Sequence, residues 1–212
     1  MPKEYQLSLL DVMSQKSPSA SLPELTKEMK ADFITSGKTS IYRSGLSAPA
    51  KIIIEKNMLQ QGASLNFGKG KHEFDSDGIK QITGNCQNYD YVYHPDINVL
   101  GQSYKNVFSS YVVNTLPIKS RAFVYQQMAN CTDTSNGVCF IAARTDRIAG
   151  LVHEDGVITS KKTYQKSYKK SELQNEASQY FVYVRELKAK AGFSLIACSH
   201  APLPQRVIDH AK

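Results

Sequence analysis

The sequence has four cysteines, Cys86, Cys131, Cys139 and Cys198, with no CxxC pair and no histidine at a zinc-ligand spacing. A structural zinc and a disulfide framework are therefore not expected. No apolar run approaches the ~20 residues that a membrane helix requires, and no apolar h-region opens the chain. The expectation is a cytoplasmic protein with reduced thiols. Internal repeats and long low-complexity stretches are missing as well. No cysteine follows a proline, which disfavours covalent attack on a cytosine ring carbon.

What is present fits one well-cored α/β domain. The chain has 212 residues, of which 41% are hydrophobic and 21% charged, the ordinary globular range. Its net charge of +7 gives a moderate positive field, which suits a polyanionic partner and simple solubility equally.

Residues 14–21 are polar and read as loop. Ser21 to Glu24 reads as a capping box, followed by Leu22, Leu25, Met29 and Phe33 at helical spacing. Ser47-Ala48-Pro49 begins a second helix carrying Ile52, Ile53, Ile54 and Met58. Strands are expected at Ala63–Phe67, Asn106–Tyr111, Val138–Ala143 and Phe193–Ser199. Helices are expected at 72–82, Pro117–Cys131 and Ser171–Val184. This alternation predicts a Rossmann-like, doubly wound α/β fold: a mostly parallel sheet covered on both faces. A small N-terminal helical extension, residues 1–45, precedes the main domain, residues 46–212.

Asn66-Phe67-Gly68-Lys69-Gly70-Lys71 follows one predicted strand and precedes a predicted helix. Glycines there let the backbone approach a ligand closely, at the carboxyl ends of parallel strands where nucleotide-like ligands bind. Asp90 lies 20 residues after Gly70, a spacing that suits an acid accepting hydrogen bonds from ribose hydroxyls. The other reading of Asp90 is the start of a turn in Asn88–Pro95, and of the loop an ordinary tight turn.

Leu46 to Lys51, Asn66–Lys71, and Asp90 through His94-Pro95-Asp96 together resemble the methyltransferases found alongside DNA phosphorothioation systems. So do Tyr111-Val112-Val113-Asn114 and Asp155 to Ser160, continued by Thr163 to Lys166 and Ser171 to Leu173. The similarity runs in order from about Arg43 to Leu173. In that family the loop reads Asp-aromatic-Gly-Cys-Gly-Arg-Gly, and here Asn66, Lys69 and His72 replace the acid, the cysteine and the last glycine. The resemblance implies a class I fold and S-adenosyl-L-methionine as cofactor. It also implies that Asn66, Phe67, Gly68, Gly70 and Asp90 are the cofactor contacts.

Ser109, Tyr111 and Asn114 fall at the end of the Asn106 strand, facing the expected methyl donor. A hydroxyl, an aromatic ring and an amide there could align an exocyclic amine on an extruded base. The alternative packs Tyr111 in the core and leaves Asn114 to cap the next helix. Between 161 and 170 stand five lysines, two tyrosines and no acid. Lys161, Lys162, Tyr164, Lys166, Lys169 and Lys170, extended by Arg144 and Arg147, are the expected nucleic-acid contacts, against a solvated hairpin. The reading is a DNA methyltransferase acting on duplex DNA by base flipping, adenine N6 ahead of cytosine N4. With so small a chain, low sequence specificity is expected, as in phage or mobile-element protection against restriction. An RNA or small-molecule methyltransferase and a non-catalytic binding module are the alternatives.

Overall fold

The computed structural model describes residues 25–212. The expected loop at 14–21 and the Ser21 to Glu24 capping box lie outside them. The first helix among the described residues, α1 (Lys27–Gly37), begins after Thr26, whose hydroxyl accepts from the Met29 N–H at 3.2 Å. Helix α2 (Ala48–Glu55) starts as the sequence predicts: Ser47 Oγ accepts from the Ala50 N–H, and Pro49 sits in the first turn.

Six strands make the main sheet: β1 (Ser64–Phe67), β2 (Gln87–Tyr89), β3 (Asn106–Ser110), β4 (Val138–Arg144), β8 (Tyr183–Glu186) and β9 (Phe193–Ser199). Their order is β2-β1-β3-β4-β9-β8. The first four run parallel, and β9 is antiparallel to both of its neighbours. Helix α3 (Phe74–Thr83) connects β1 to β2 and ends on Gly84, whose φ of 84° is open to glycine without strain. Helix α4 (Ile118–Cys131) connects β3 to β4. Two short helices follow, α5 (Glu172–Ala177) and α6 (Gln205–Ile208).

Both faces of the sheet are covered. Leu65, Phe67, Val107, Ile141 and Ile196 pack beneath Phe33 of α1, Val124 of α4 and Leu173 of α5. Phe108, Phe140, Ala142 and Leu195 pack against Ile53 of α2, Ile79 of α3 and Val207 of α6. Two-sided burial explains the uninterrupted apolar run of β4. The described part of the N-terminal extension belongs to this core, because Phe33 is buried and stacks on Tyr91 at 3.7 Å.

The expected helix Ser171–Val184 is corrected. It stops at Ala177, and Tyr183–Glu186 forms an edge strand beside β9. Tyr180 to Val184 is aromatic and β-branched, which favours an extended chain where an open sheet edge can pair with it. A small second sheet follows β4: β5 (Leu151–His153), β6 (Gly156–Ile158) and β7 (Tyr164–Gln165), all antiparallel.

Candidate functional site

Strand β2 lies on one side of β1 and β3 on the other. The chain therefore switches direction at β1, and the carboxyl ends of β1 and β3 open a crevice where ligands of such sheets bind. The turn leaving β1 lies in it. Gly68 and Gly70 have φ of 73° and 70°, values that any other residue adopts only with strain. The Gly68 and Lys69 N–H groups both donate to the Tyr89 carbonyl at the end of β2.

Asp90 holds this turn from the next strand. Its Oδ2 accepts from the Gly70 N–H at 2.9 Å, and its Oδ1 accepts from the Val92 and Tyr93 N–H groups at 2.8 and 3.0 Å. Three of its roughly four lone-pair sites are thereby used, which leaves room for one further donor. Both sequence readings of Asp90 meet in this geometry: it starts the turn and still faces the glycines.

Two further groups close over the loop. A methyl group on Gly68 would run into Val112 Cγ2, and one on Gly70 would stand 2.6 Å from Ser40 Oγ. Ser40 Oγ also accepts from the Lys71 N–H, while the Tyr93 hydroxyl donates to the Gly37 carbonyl at 3.0 Å. The glycines thus admit close approach from above, and in this state Val112 and the segment after α1 occupy that space.

Asn66 and Phe67 are corrected as side-chain contacts. Phe67 is fully buried in the core against Tyr89. Asn66 is buried too, its amide donating to Ser76 Oγ at 2.9 Å. Ser76 donates in turn to Asn88 Oδ1, and the Asn88 amide donates to Glu73. Glu73 pairs with Lys69, whose side chain is 1% exposed and whose ammonium lies 2.6 Å from His94 Nε2. Lys69 stays out of the crevice, because its ammonium is drawn sideways to Glu73 and His94. The N–H groups of Gly68, Lys69, Gly70 and Lys71 are all bonded within the protein, which leaves Asp90 as the side chain with acceptor capacity at this turn.

The three residues expected at the reaction centre do not converge. Ser109 is 1% exposed, and its register with Ile141 turns it into the α4 face of the core, where its hydroxyl has no partner among the described residues. Asn114 is buried and structural: its side-chain amide donates to Gln165 at 3.3 Å and its backbone carbonyl accepts from the Lys166 N–H, tying the end of β7 to the turn after β3. Tyr111, just past the carboxyl end of β3, is partly buried and packs against the core. It has a left-handed φ of 61°, its N–H donates to the Ala142 carbonyl at 2.8 Å, and its ring meets Phe193 edge-on at 6.2 Å. A non-glycine residue held in that region stores strain, which gathers at functional sites. Burial raises the Tyr111 hydroxyl above its ordinary pKa, against the opposing pull of Arg144 and Arg43.

The basic segment divides in two. Lys161, Lys162, Lys169, Lys170, Arg144 and Arg147 are exposed. Tyr164 and Lys166, at 3% exposure each, are not, which corrects their place among solvent-facing contacts. Lys166 Nζ pairs with Asp155 and Glu172 at 2.7 and 2.6 Å, and the Tyr164 hydroxyl bonds Asp155. Arg121, 1% exposed in its side chain, joins the same cluster through Asp155 and Glu176. The cysteines offer no nucleophile: burial pushes the Cys86 and Cys131 thiols up to about 12. Among the described residues no group of side chains could hold a metal ion, and no helix is long and apolar enough to cross a membrane.

No family model and no curated protein sequence matches the chain. Solved structures do. A Burkholderia thailandensis 1,6-didemethyltoxoflavin-N1-methyltransferase, crystallised with 1,6-didemethyltoxoflavin and S-adenosylhomocysteine, is similar with a TM-score of 0.57 and 13% identity, over 84% of this chain and 91% of that one. An O-methyltransferase family protein from the same organism gives 0.53 and 10%, over 93% and 70%. An S-adenosylmethionine-dependent methyltransferase from Aquifex aeolicus gives 0.50 and 11%, over 80% and 97%. None of these three connects the chain to DNA phosphorothioation. At such identities the likeness is one of fold, and it agrees with the strand order and the crevice described above: the chain carries the Rossmann-like class I methyltransferase fold.

Proposed function

We propose that the chain is an S-adenosylmethionine-dependent methyltransferase whose acceptor is an exocyclic base amine in DNA, adenine N6 ahead of cytosine N4. The observation that carries methyl transfer is the pair of left-handed glycines at the β1–β3 switch point, with Asp90 facing them from β2. With Val112 and Ser40 moved aside, a cradle of this shape would admit the donor. Gly68 and Gly70 would let its backbone-facing edge come close, and the remaining lone pair of Asp90 would take a ribose hydroxyl. When bound, the donor supplies an electrophilic methyl group on a sulfonium. Transfer needs alignment of the acceptor more than a strong base, and Tyr111 is the group to which this reading gives that role.

The DNA reading is supported by charge. Six exposed cations, Arg144, Arg147, Lys161, Lys162, Lys169 and Lys170, fall in the segment that leaves the carboxyl end of β4, the end at which the crevice opens. A small-molecule acceptor is the second reading, favoured by the similarity to the 1,6-didemethyltoxoflavin-N1-methyltransferase.

Calorimetric titration with S-adenosylmethionine and S-adenosylhomocysteine tests the donor. Absence of binding would make the chain a binding module whose crevice is filled by Val112 and Ser40. Expression in a methylation-deficient bacterium, followed by mass spectrometry of nucleosides, tests the acceptor. Methylated deoxyadenosine above background is expected. Donor binding without any modified nucleoside would select the small-molecule reading.

A further inference from the structure

We propose that Arg43, Ser110, Tyr111 and Arg144 form an acceptor-side subsite that takes the 5′-phosphate of a nucleotide while its base lies on the Tyr111 ring. The proposal rests on the methyl-transfer reading of the crevice and adds the chemistry of what enters it.

The sheet brings Ser110, Tyr111 and Arg144 to one place. Ser110 pairs with Ala142 of β4, so Ser110, Ala142 and, two residues on, Arg144 share the α2–α3 face of the sheet. Phe193 stands directly opposite Arg144 on β9, and the Tyr111 ring meets that same Phe193. Arg43 arrives from the segment before α2, anchored to buried Asp75 through Nη1 at 2.9 Å. Ser110 Oγ is buried and has no hydrogen-bond partner among the described residues.

The arginines leave guanidinium nitrogens unused here among the described residues. Arg121 commits all three of its guanidinium nitrogens, to Glu176, Leu116 and Asp155. Among the described residues Arg43 commits only Nη1. The Arg144 side chain makes no ion pair or hydrogen bond among the described residues. The nearby acids take only part of these forks. Asp75 already holds both Arg43 and the Ser47 N–H, and Asp146 turns toward Gly192, 3.1 Å from where a Cβ would stand. Two partly free guanidinium forks suit a doubly charged, multi-oxygen anion. A fixed aromatic ring beside them suits the base attached to it, so phosphate on a nucleoside is favoured over a bare carboxylate.

The test compares 5′-deoxyadenylate with deoxyadenosine by calorimetry on the full chain, in the parent and in Arg43→Gln, Arg144→Gln and Arg43→Lys. The phosphate is expected to tighten binding at least tenfold in the parent. Either glutamine variant should lose most of that gain, and Arg43→Lys should restore part of it, with S-adenosylhomocysteine affinity unchanged throughout. A fluorescent 12-nucleotide DNA, titrated into the same variants, separates the sources. A parallel loss assigns the phosphate to a strand, an unchanged affinity assigns it to a free nucleotide, and both outcomes keep the subsite. Equal binding of nucleotide and nucleoside in the parent would overturn it. So would a loss of S-adenosylhomocysteine binding in Arg43→Gln, which would move Arg43 to the donor. A phosphate preference in a protein that fails to bind S-adenosylhomocysteine would instead refute the methyl-donor reading and leave the subsite standing.

Discussion

At the scale of single residues, the glycine loop is a problem of contact distance. Gly68 has two reasons to lack a side chain: its φ of 73°, and Val112 Cγ2 lying where a methyl would go. The two can be separated. Gly68→Ala should destabilise the fold by about 1–3 kcal/mol, from left-handed strain plus the clash. Adding Val112→Ala should recover the clash component and leave the strain. Thermal melts of the parent, both single variants and the double variant read this directly: simple additivity would show that Val112 does not lie over Gly68. Asp90 makes a second prediction. Asp90→Ala strands three backbone N–H groups, and hydrogen bonds to a charged acceptor are worth about 1.5–3 kcal/mol each at most. Lower stability and at least tenfold weaker S-adenosylhomocysteine binding are expected together by melt and calorimetry. Reduced stability with intact affinity would confine Asp90 to holding the turn.

At the scale of elements, the small sheet is locked to the body by a partly buried charge cluster. Burial tends to raise the Asp155 carboxyl, but Lys166, Tyr164 and Arg121 outweigh it and hold the pKa down at about 2. A carboxylate depressed in the folded state stabilises fully above its unfolded pKa of 3.8, and that contribution fades as pH falls through about 2. Asp155→Asn should therefore cost of order 1–2 kcal/mol near pH 7, and the gap from the parent should close on approaching pH 2. Denaturant melts at both pH values check this, and a gap independent of pH would assign the loss to hydrogen bonding alone. The sequence hides this element because its lysines look like one solvent-facing run. Alternation is the signal that exposes it: Tyr164, Lys166 and Tyr168 sit at every second position, and all three are buried. Asp155, Glu172 and Glu176 wait nearby as their partners. The Tyr183–Glu186 strand is hidden for another reason, since its pairing with β9 is a tertiary fact that local helical spacing cannot carry.

At the scale of the whole molecule, the fold is legible in the sequence because alternating strands and helices leave few ways to cover both faces of a sheet. The reaction centre is less so. Ser109 and Ser110 are chemically identical neighbours, and only strand register sends the first toward α4 and the second toward the crevice face. Arg43 is out of reach for a similar reason, since it lies 32 residues from the Asp75 that positions it. Charge, by contrast, can be tested without knowing any contact. If the exposed Lys161, Lys162, Lys169 and Lys170 meet DNA phosphates, replacing all four by alanine should weaken binding almost equally for every sequence, because phosphate contacts position without specifying. The slope of log affinity against log salt should become shallower by roughly 0.9 for each phosphate no longer neutralised. Lys166 is the internal control: its ammonium is consumed by Asp155 and Glu172, so Lys166→Met should lower the melting temperature and leave that slope unchanged. Fluorescence anisotropy across a salt series measures both proteins, and a quadruple variant with the parent's slope would assign these lysines to solvent. The acceptor would then have to be recognised inside the crevice alone, and a small molecule would become the better reading.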